Sequence, residues 1–253
     1  MRDWFAELPE RLAAFRSWYW DGRGDRRPWF RRGLAFVFFV LVVLPVFLIF
    51  LFRFVPVPVT PNLILGFFGR GGVHYSWRDA DAISPDLGRA VIASEDERFC
   101  RHNGFDWKSI NDALIQHRRH PKKPLRGAST LSQQTARSLF LTPQRSWVRK
   151  GLEAYFTVLI EAMWPKQRIL TAYLNLVDWG HGYFGAEAAA QGYFHEPASR
   201  LSRAQAARLA VILPSPDGWR AVDPGPYVVR RTGTVLARMS EVSRDRLDDC
   251  VRH

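Results

Sequence analysis

From Gly33 to Phe52 the chain carries no charged residue. A helix crossing a bilayer core needs about 20 apolar residues, and this run supplies them. Pro45 lies inside it, where a membrane helix tolerates proline better than a soluble one does. Pro56, Pro58 and Pro61 follow and predict a stiff, extended spacer. Beyond about residue 80 the apolar positions recur at helical spacing, with few strand signals. Leu87, Ala90 and Val91 mark one helix, with Ser84 as the expected N-cap, Pro85 in the first turn and Asp86 at the positive dipole end. Trp107, Ile110 and Leu114 mark the face of the next, capped by Asp106. Thr130 and Gln133 have capping-box spacing and open a third. Trp147, Val148, Leu152, Tyr155, Phe156, Leu159, Ile160 and Met163 define a long apolar helix. Ile169, Leu170, Tyr173 and Leu174 stripe another, expected to end at Gly180 and Gly182. An alanine-rich helix spans 186–190. A second capping box, Ser202 and Gln205, opens a buried helix stopped by Pro214, and Val228, Val235, Met239 and Val242 close the bundle.

Charge orients this plan. Arg23, Arg26, Arg27, Arg31 and Arg32 precede the apolar run, and only Arg53 follows closely. That bias predicts an uncleaved, single-pass anchor with its N-terminus in the cytoplasm and the bulk of the chain outside. The expected division is a cytoplasmic segment 1–32, a transmembrane helix 33–53, a juxtamembrane spacer 54–80 and an external helical domain 81–253. Within the first segment, Leu8, Leu12 and Phe15 suit a short helix at the membrane surface, with a loose tail as the alternative. The net charge of +12 fits nucleic acid, an anionic membrane or a phosphate-bearing substrate. An external, tethered domain argues against nucleic acid and leaves lipid headgroups or a lipid phosphate. The basic stretch 118–126 reads as a loop suited to such phosphates. Cys100 and Cys250 form neither a disulfide framework nor a metal motif. Two free thiols are the expectation; a Cys100–Cys250 bridge stays open, because nothing in the sequence sets their distance.

The chemistry concentrates in SEDERFCRHNGFDW, residues 94–107. Glu95 and Asp96 should ride at the C-terminal end of a helix, where the dipole disfavours an ionised carboxylate. An acid placed there is what a site needing a carboxylate of raised pKa would show; the alternative is a solvated helix end with Glu95 paired to Arg98. Ser129, Thr130, Gln133, Gln134 and Arg137 gather hydrogen-bonding groups at a helix start. Arg149, Lys150 and Glu153 share one helix face, which on spacing alone is a surface ion pair. Lys166 and Asn175 are the polar candidates of the following helix.

Five blocks of this chain, in order, resemble the peptidoglycan glycosyltransferases of family 51 in their single-domain, monofunctional form. They are EDERFCRHNGFD from Glu95, GASTLSQQTAR from Gly127, RKGLE from Arg149, KQRILTAYLNLVDWG from Lys166 and RAQAARLAVILPSP from Arg203. The resemblance implies a lysozyme-like helical fold and the inverting polymerisation of lipid II. The donor is a glycan strand on undecaprenyl pyrophosphate, and the products are a β-1,4 link and the released lipid pyrophosphate. It implies Glu95 as general base and Glu153 as second carboxylate, holding a divalent cation (Mg2+ or Mn2+) near the pyrophosphate, with no organic cofactor. It implies Arg137, Arg149 and Lys150 as phosphate contacts, Thr130, Gln133 and Gln134 as donor-site positions, and Asp96, Phe99 and His102 as supports. Proteins of cell division or cell-wall synthesis are the implied partners. Arg137 stands where the family usually has Lys, Cys100 where it usually has an aromatic residue, and Thr171 where it usually has Glu. A lytic transglycosylase and a non-catalytic cell-wall scaffold are the competing readings; no Ser-x-x-Lys tetrad of a transpeptidase is present.

Overall fold

The computed structural model describes residues 26–70, 72–121, 129–144 and 146–252. The expected surface helix around Leu8, Leu12 and Phe15, and residues 122–126 of the basic loop, lie outside them. The chain divides into two units, Met1–Leu48 and Ile49–His253. Helix α1 (Arg26–Phe38), in the first, passes through a π-helical segment, Phe39–Val43, into α2 (Leu44–Phe52), whose last four residues belong to the second. Pro45 donates no N–H and its ring crowds the carbonyl of Leu41, so the ladder reorganises just ahead of it. One apolar helix, Trp29–Phe52, is long enough to cross a membrane. Phe36, Phe38, Phe39, Leu41 and Phe47 are all exposed around it, an arrangement that suits lipid rather than water.

In the second unit, the last carbonyls of α2 have no partner within the helix and are satisfied from elsewhere. Trp164 Nε1 donates to the Ile49 carbonyl (2.7 Å) and Arg168 Nε to that of Phe52 (2.8 Å). The expected extended spacer is only partly extended. Pro61 is the first residue of α3 (Pro61–Arg70), and Thr60 Oγ1 accepts from Leu63 N at 3.3 Å. Proline suits a first helical turn because its missing N–H would have no partner there.

Helix α4 (Pro85–Glu95) runs through the core, with Leu87, Ala90, Val91, Ile92 and Ala93 buried. Ser84 does not cap it through its side chain; its hydroxyl donates instead to the Leu201 carbonyl at 2.9 Å. Asp106 does cap α5 (Trp107–Arg119), accepting from Ser109 N at 3.1 Å. The stripe of α5 faces outward, however: Trp107, Leu114 and Ile115 are exposed. Both capping boxes form, on α6 (Leu131–Phe140) and later on α10 (Arg203–Ile212). Helix α7 (Trp147–Met163) buries Phe156 and Ile160 but leaves Trp147 and Val148 exposed at its start. Helix α8 (Lys166–Leu176) is buried from Ile169 onward and ends before Gly180 and Gly182. Those glycines take positive φ in the turn that leads to β2 (Tyr183–Phe184), which pairs in parallel with β1 (His74–Tyr75). Helix α9 (Ala186–Phe194) packs through its alanines, and α11 (Pro226–Arg244) buries Val228, Val235, Met239 and Val242 as expected. Helices α10 and α11 enclose α4 on one side, while α6 lies between α7 and α8.

Cys100 and Cys250 are not free thiols; they form a disulfide with Cα atoms 5.6 Å apart. The separation of 150 residues hid this pairing from the sequence, because only the packing of the C-terminal segment beside residues 99–101 brings the two together.

Candidate active site

The site forms where α4 ends and α6 begins. Glu95 is the last residue of α4, and Asp96 follows as its C-cap. Asp96 is buried and acts as a junction. One of its oxygens accepts from Leu131 N (2.9 Å) at the start of α6, and both lie near 3 Å from His102 Nε2. A carboxylate suits this place because the first N–H groups of a helix lack partners and carry the positive end of its dipole. Thr130 Oγ1 donates to the Gly104 carbonyl at 2.6 Å. Gly104 has φ +89°, and a Cβ there would lie 2.8 Å from Thr157 Cγ2. Only glycine passes so close to α7. Phe99 is fully buried beneath this turn.

Glu95 does not pair with Arg98, which lies instead 3.5 Å from Asp106. It accepts from Gln134 Nε2 at 3.1 Å. The buried Tyr173 hydroxyl donates to Gln134 Oε1 (3.3 Å), which leaves the amide nitrogen to face Glu95. Burial pushes the Glu95 carboxyl above its ordinary 4.5; Gln134, Arg231 and Arg137 pull it down in part, and Asp96 adds to the rise. The helix dipole alone predicts a raised value; in the folded chain burial is the first cause of the rise. The paired glutamines divide their work. Gln133 is consumed by the cap, its Oε1 accepting from Thr130 N at 3.1 Å. Gln134 and Arg137 line a cavity of about 490 Å3, with Tyr173, Asp178 and the α3 residues Asn62 and Leu65.

The second cluster is not a surface ion pair. Glu153 is 1 % exposed. Arg149 Nη1 donates to its Oε2 at 2.6 Å, and Lys150 Nζ to its Oε1. Lys150 also reaches Ser129 Oγ at 3.4 Å, which joins this cluster to the start of α6. Arg149 Nε is buried and has no hydrogen-bond partner among the described residues. An orphaned guanidinium donor beside a second cation is what an anionic ligand would satisfy.

A divalent cation fits this arrangement poorly. Both oxygens of Glu153 are already taken by cations, and no group of three or more His, Cys, Asp or Glu side chains converges among the described residues. Two expected residues do not line the cavity beside Gln134. Lys166 Nζ pairs with Glu161 (2.7 Å) and sits 4.6 Å from the centre of the Phe99 ring, so it supports the turn from below. Asn175 is fully buried; it accepts from Arg78 N at 2.7 Å and donates to the Arg78 carbonyl at 2.8 Å, tying the segment before α4 to α8. The sequence reading missed Glu161, which accepts from Ser132 and Lys166 and so links α6, α7 and α8. Its sequence signal was an acid in the apolar second half of α7, directly after Val158, Leu159 and Ile160. Arg231 of α11, which acts on Glu95 from the C-terminal helix, was also missed.

A shielded carboxylate of raised pKa, an amide bonded to it and two cations set on the buried Glu153 suit an enzyme that transfers a group as an anion leaves. Comparison with known proteins then places the chain. The family model described as Transglycosylase matches residues 65–240. The biosynthetic peptidoglycan transglycosylase of Caulobacter vibrioides is 49% identical over 221 residues, covering 87% of this chain and 96% of that protein. The proteins of the same name from Chromohalobacter salexigens and Rhodospirillum centenum are each 48% identical, covering 85% and 87% of this chain and 95% of each relative. The chain belongs to the transglycosylase family, and it is a glycosyltransferase.

Proposed function

We propose that this glycosyltransferase builds peptidoglycan by polymerising lipid II. The 4-hydroxyl of the incoming lipid II attacks C1 of the strand held on undecaprenyl pyrophosphate. The O4–C1 bond forms as the C1–phosphate oxygen bond breaks, and the electron pair leaves with the pyrophosphate. Glu95 takes the hydroxyl proton; a base shielded from water and tuned upward suits that transfer. Arg149 and Lys150, fixed by Glu153, meet the growing negative charge, as preorganised cations do in other enzymes. Arg137 extends this positive field into the cavity beside Gln134. The observation that carries the reading is the partnerless buried Arg149 Nε in the Arg149–Glu153–Lys150 cluster, joined through Ser129 and Thr130 to the turn that follows Glu95.

The apolar helix Trp29–Phe52 supports a single-pass anchor, and the arginine bias supports an N-terminus in the cytoplasm with catalysis outside. Exposed Phe67 and Phe68 on α3, Trp107 on α5 and Trp147 on α7 support a catalytic unit that works against the lipid surface its substrate occupies. The test is incubation of the detergent-solubilised protein with lipid II, with products resolved by gel. Glycan polymer is the expected product. Cleavage of isolated strands without polymer formation would assign the chain to lytic chemistry instead.

A further inference from the structure

The Cys100–Cys250 bond lies on the catalytic turn. Cys100 occupies the 3-10 turn Phe99–Arg101, between the buried Phe99 and His102, whose ring is bonded to Asp96. Cys250 occupies a second 3-10 turn, Asp249–Val251, beyond the end of α11. That C-terminal turn is itself anchored. Asp248 is buried, and its carboxylate accepts from Arg89 Nε of α4 (3.1 Å) and from Arg252 Nε (2.8 Å). Arg252 Nη2 donates in turn to the Ser243 carbonyl of α11 at 3.0 Å. The strap is therefore fixed to α4 and to α11, and its disulfide reaches across to the turn that follows Glu95.

We propose that Cys100 and Cys250 are positioning residues for glycosyl transfer. Their bond holds the turn 99–102 against α4, and with it the Asp96–His102 pair beside the base. The proposal rests on the reading of Glu95 as the base. A disulfide closing so long a loop also restrains the unfolded chain, so a change in melting temperature alone does not distinguish a clamp from a staple.

The experiment uses the full chain in detergent, in four forms: oxidised, held in excess dithiothreitol, Cys250→Ser, and Cys100→Ser with Cys250→Ser. Dithiothreitol passes two electrons and two protons to the disulfide and closes to its own cyclic disulfide. Lipid II polymerisation is measured well below the lowest melting temperature. Turnover should fall roughly five- to a hundredfold in all three open forms, the range that small misplacement of reacting groups produces. KM for lipid II should stay within about twofold, because the loss falls on the transition state. Turnover kept at the oxidised level, whatever happens to the melting temperature, overturns the proposal. So does a slow double variant beside a normal Cys250→Ser, which would place the effect in residue 100 rather than in the bond. Amide hydrogen exchange over residues 96–104 reads the clamp without activity: exchange should quicken when the bond opens, and unchanged protection overturns the proposal. Absence of polymer from the oxidised protein would instead count against the lipid II reading, with the exchange measurement still deciding the clamp.

Discussion

At the scale of single residues, two carboxylates are buried in opposite ways. Glu95 is shielded with one amide donor, while Glu153 is buried between two cations. Burial raises the folded pKa of Glu95 above 4.5. Within the window from 4.5 up to that raised value the folded chain holds more proton than the unfolded chain. The contribution of Glu95 to stability therefore falls as pH rises through the window, and the loss persists above it. Glu95→Gln cannot ionise, so it should melt at the parent temperature or higher at neutral pH while turnover drops about a hundredfold or more. Melting curves beside lipid II turnover check both halves. In the parent protein the acid limb of the pH–rate profile should lie above the ordinary carboxylate range; a limb at or below 4.5 would disprove the shielding. Arg149→Ala should cost about 2–4 kcal/mol of transition-state stabilisation, read from kcat/KM. If turnover of Arg149→Ala and Glu153→Gln stays near the parent value, the cluster is structural alone.

At the scale of elements, the site depends on three helix ends and one crossing. The end of α4 presents Glu95, the start of α6 presents Gln134, and the start of α7 presents Arg149. Asp96, Thr130 and Gly104 hold the first two together, and Glu161 holds α6 and α8 to α7. Glu161 and Lys166 side chains are 9 % and 14 % exposed. Breaking such a pair leaves one charge without a partner, so Glu161→Gln should destabilise by about 3–5 kcal/mol in chemical denaturation. Joint replacement with Lys166→Met should recover much of that, because no lone charge remains. A double variant as unstable as the single one would show that the pair itself is not what matters.

At the scale of the whole molecule, the N-terminal helix and the cation cluster carry the predictions of where and with what the enzyme works. Reporter fusions at the C-terminus should be active only in their exported form; a cytoplasmic signal would overturn the topology and the function together. Glu153 is neutralised by Arg149 and Lys150, so a chelator should leave lipid II turnover within about twofold of its value in Mg2+, unlike a site whose carboxylates wait for a metal. A chelator that abolishes polymerisation, restored by Mg2+ or Mn2+, would return the cation to Glu153.

Much of this protein was legible along the chain because its signals are local. The uncharged run 33–52, the capping boxes at Thr130 and Ser202 and the acid at the end of the Leu87–Val91 stripe depend on neighbours within a few residues, and backbone geometry repeats over that range. Glu95 and Glu153 stood out from their helix positions, and the family resemblance added the roles expected of them. What the chain order could not show was which polar residues face the groove. Gln133 and Gln134 are adjacent, yet one closes a cap and the other bonds the Glu95 carboxylate, because a helix turns successive side chains to different faces. Lys166 and Asn175 look like ligands in sequence, and the packing of α8 places one beneath Phe99 and the other in the core. Arg149, Lys150 and Glu153 look like a surface pair, and the burial of Glu153 and of Arg149 Nε changes their worth, since polar groups removed from water must be matched by each other or by a ligand. The Cys100–Cys250 bond is the furthest case. Only the tertiary structure decides it, because a disulfide needs two Cα atoms within about 7 Å, and sequence order sets no such distance across 150 residues.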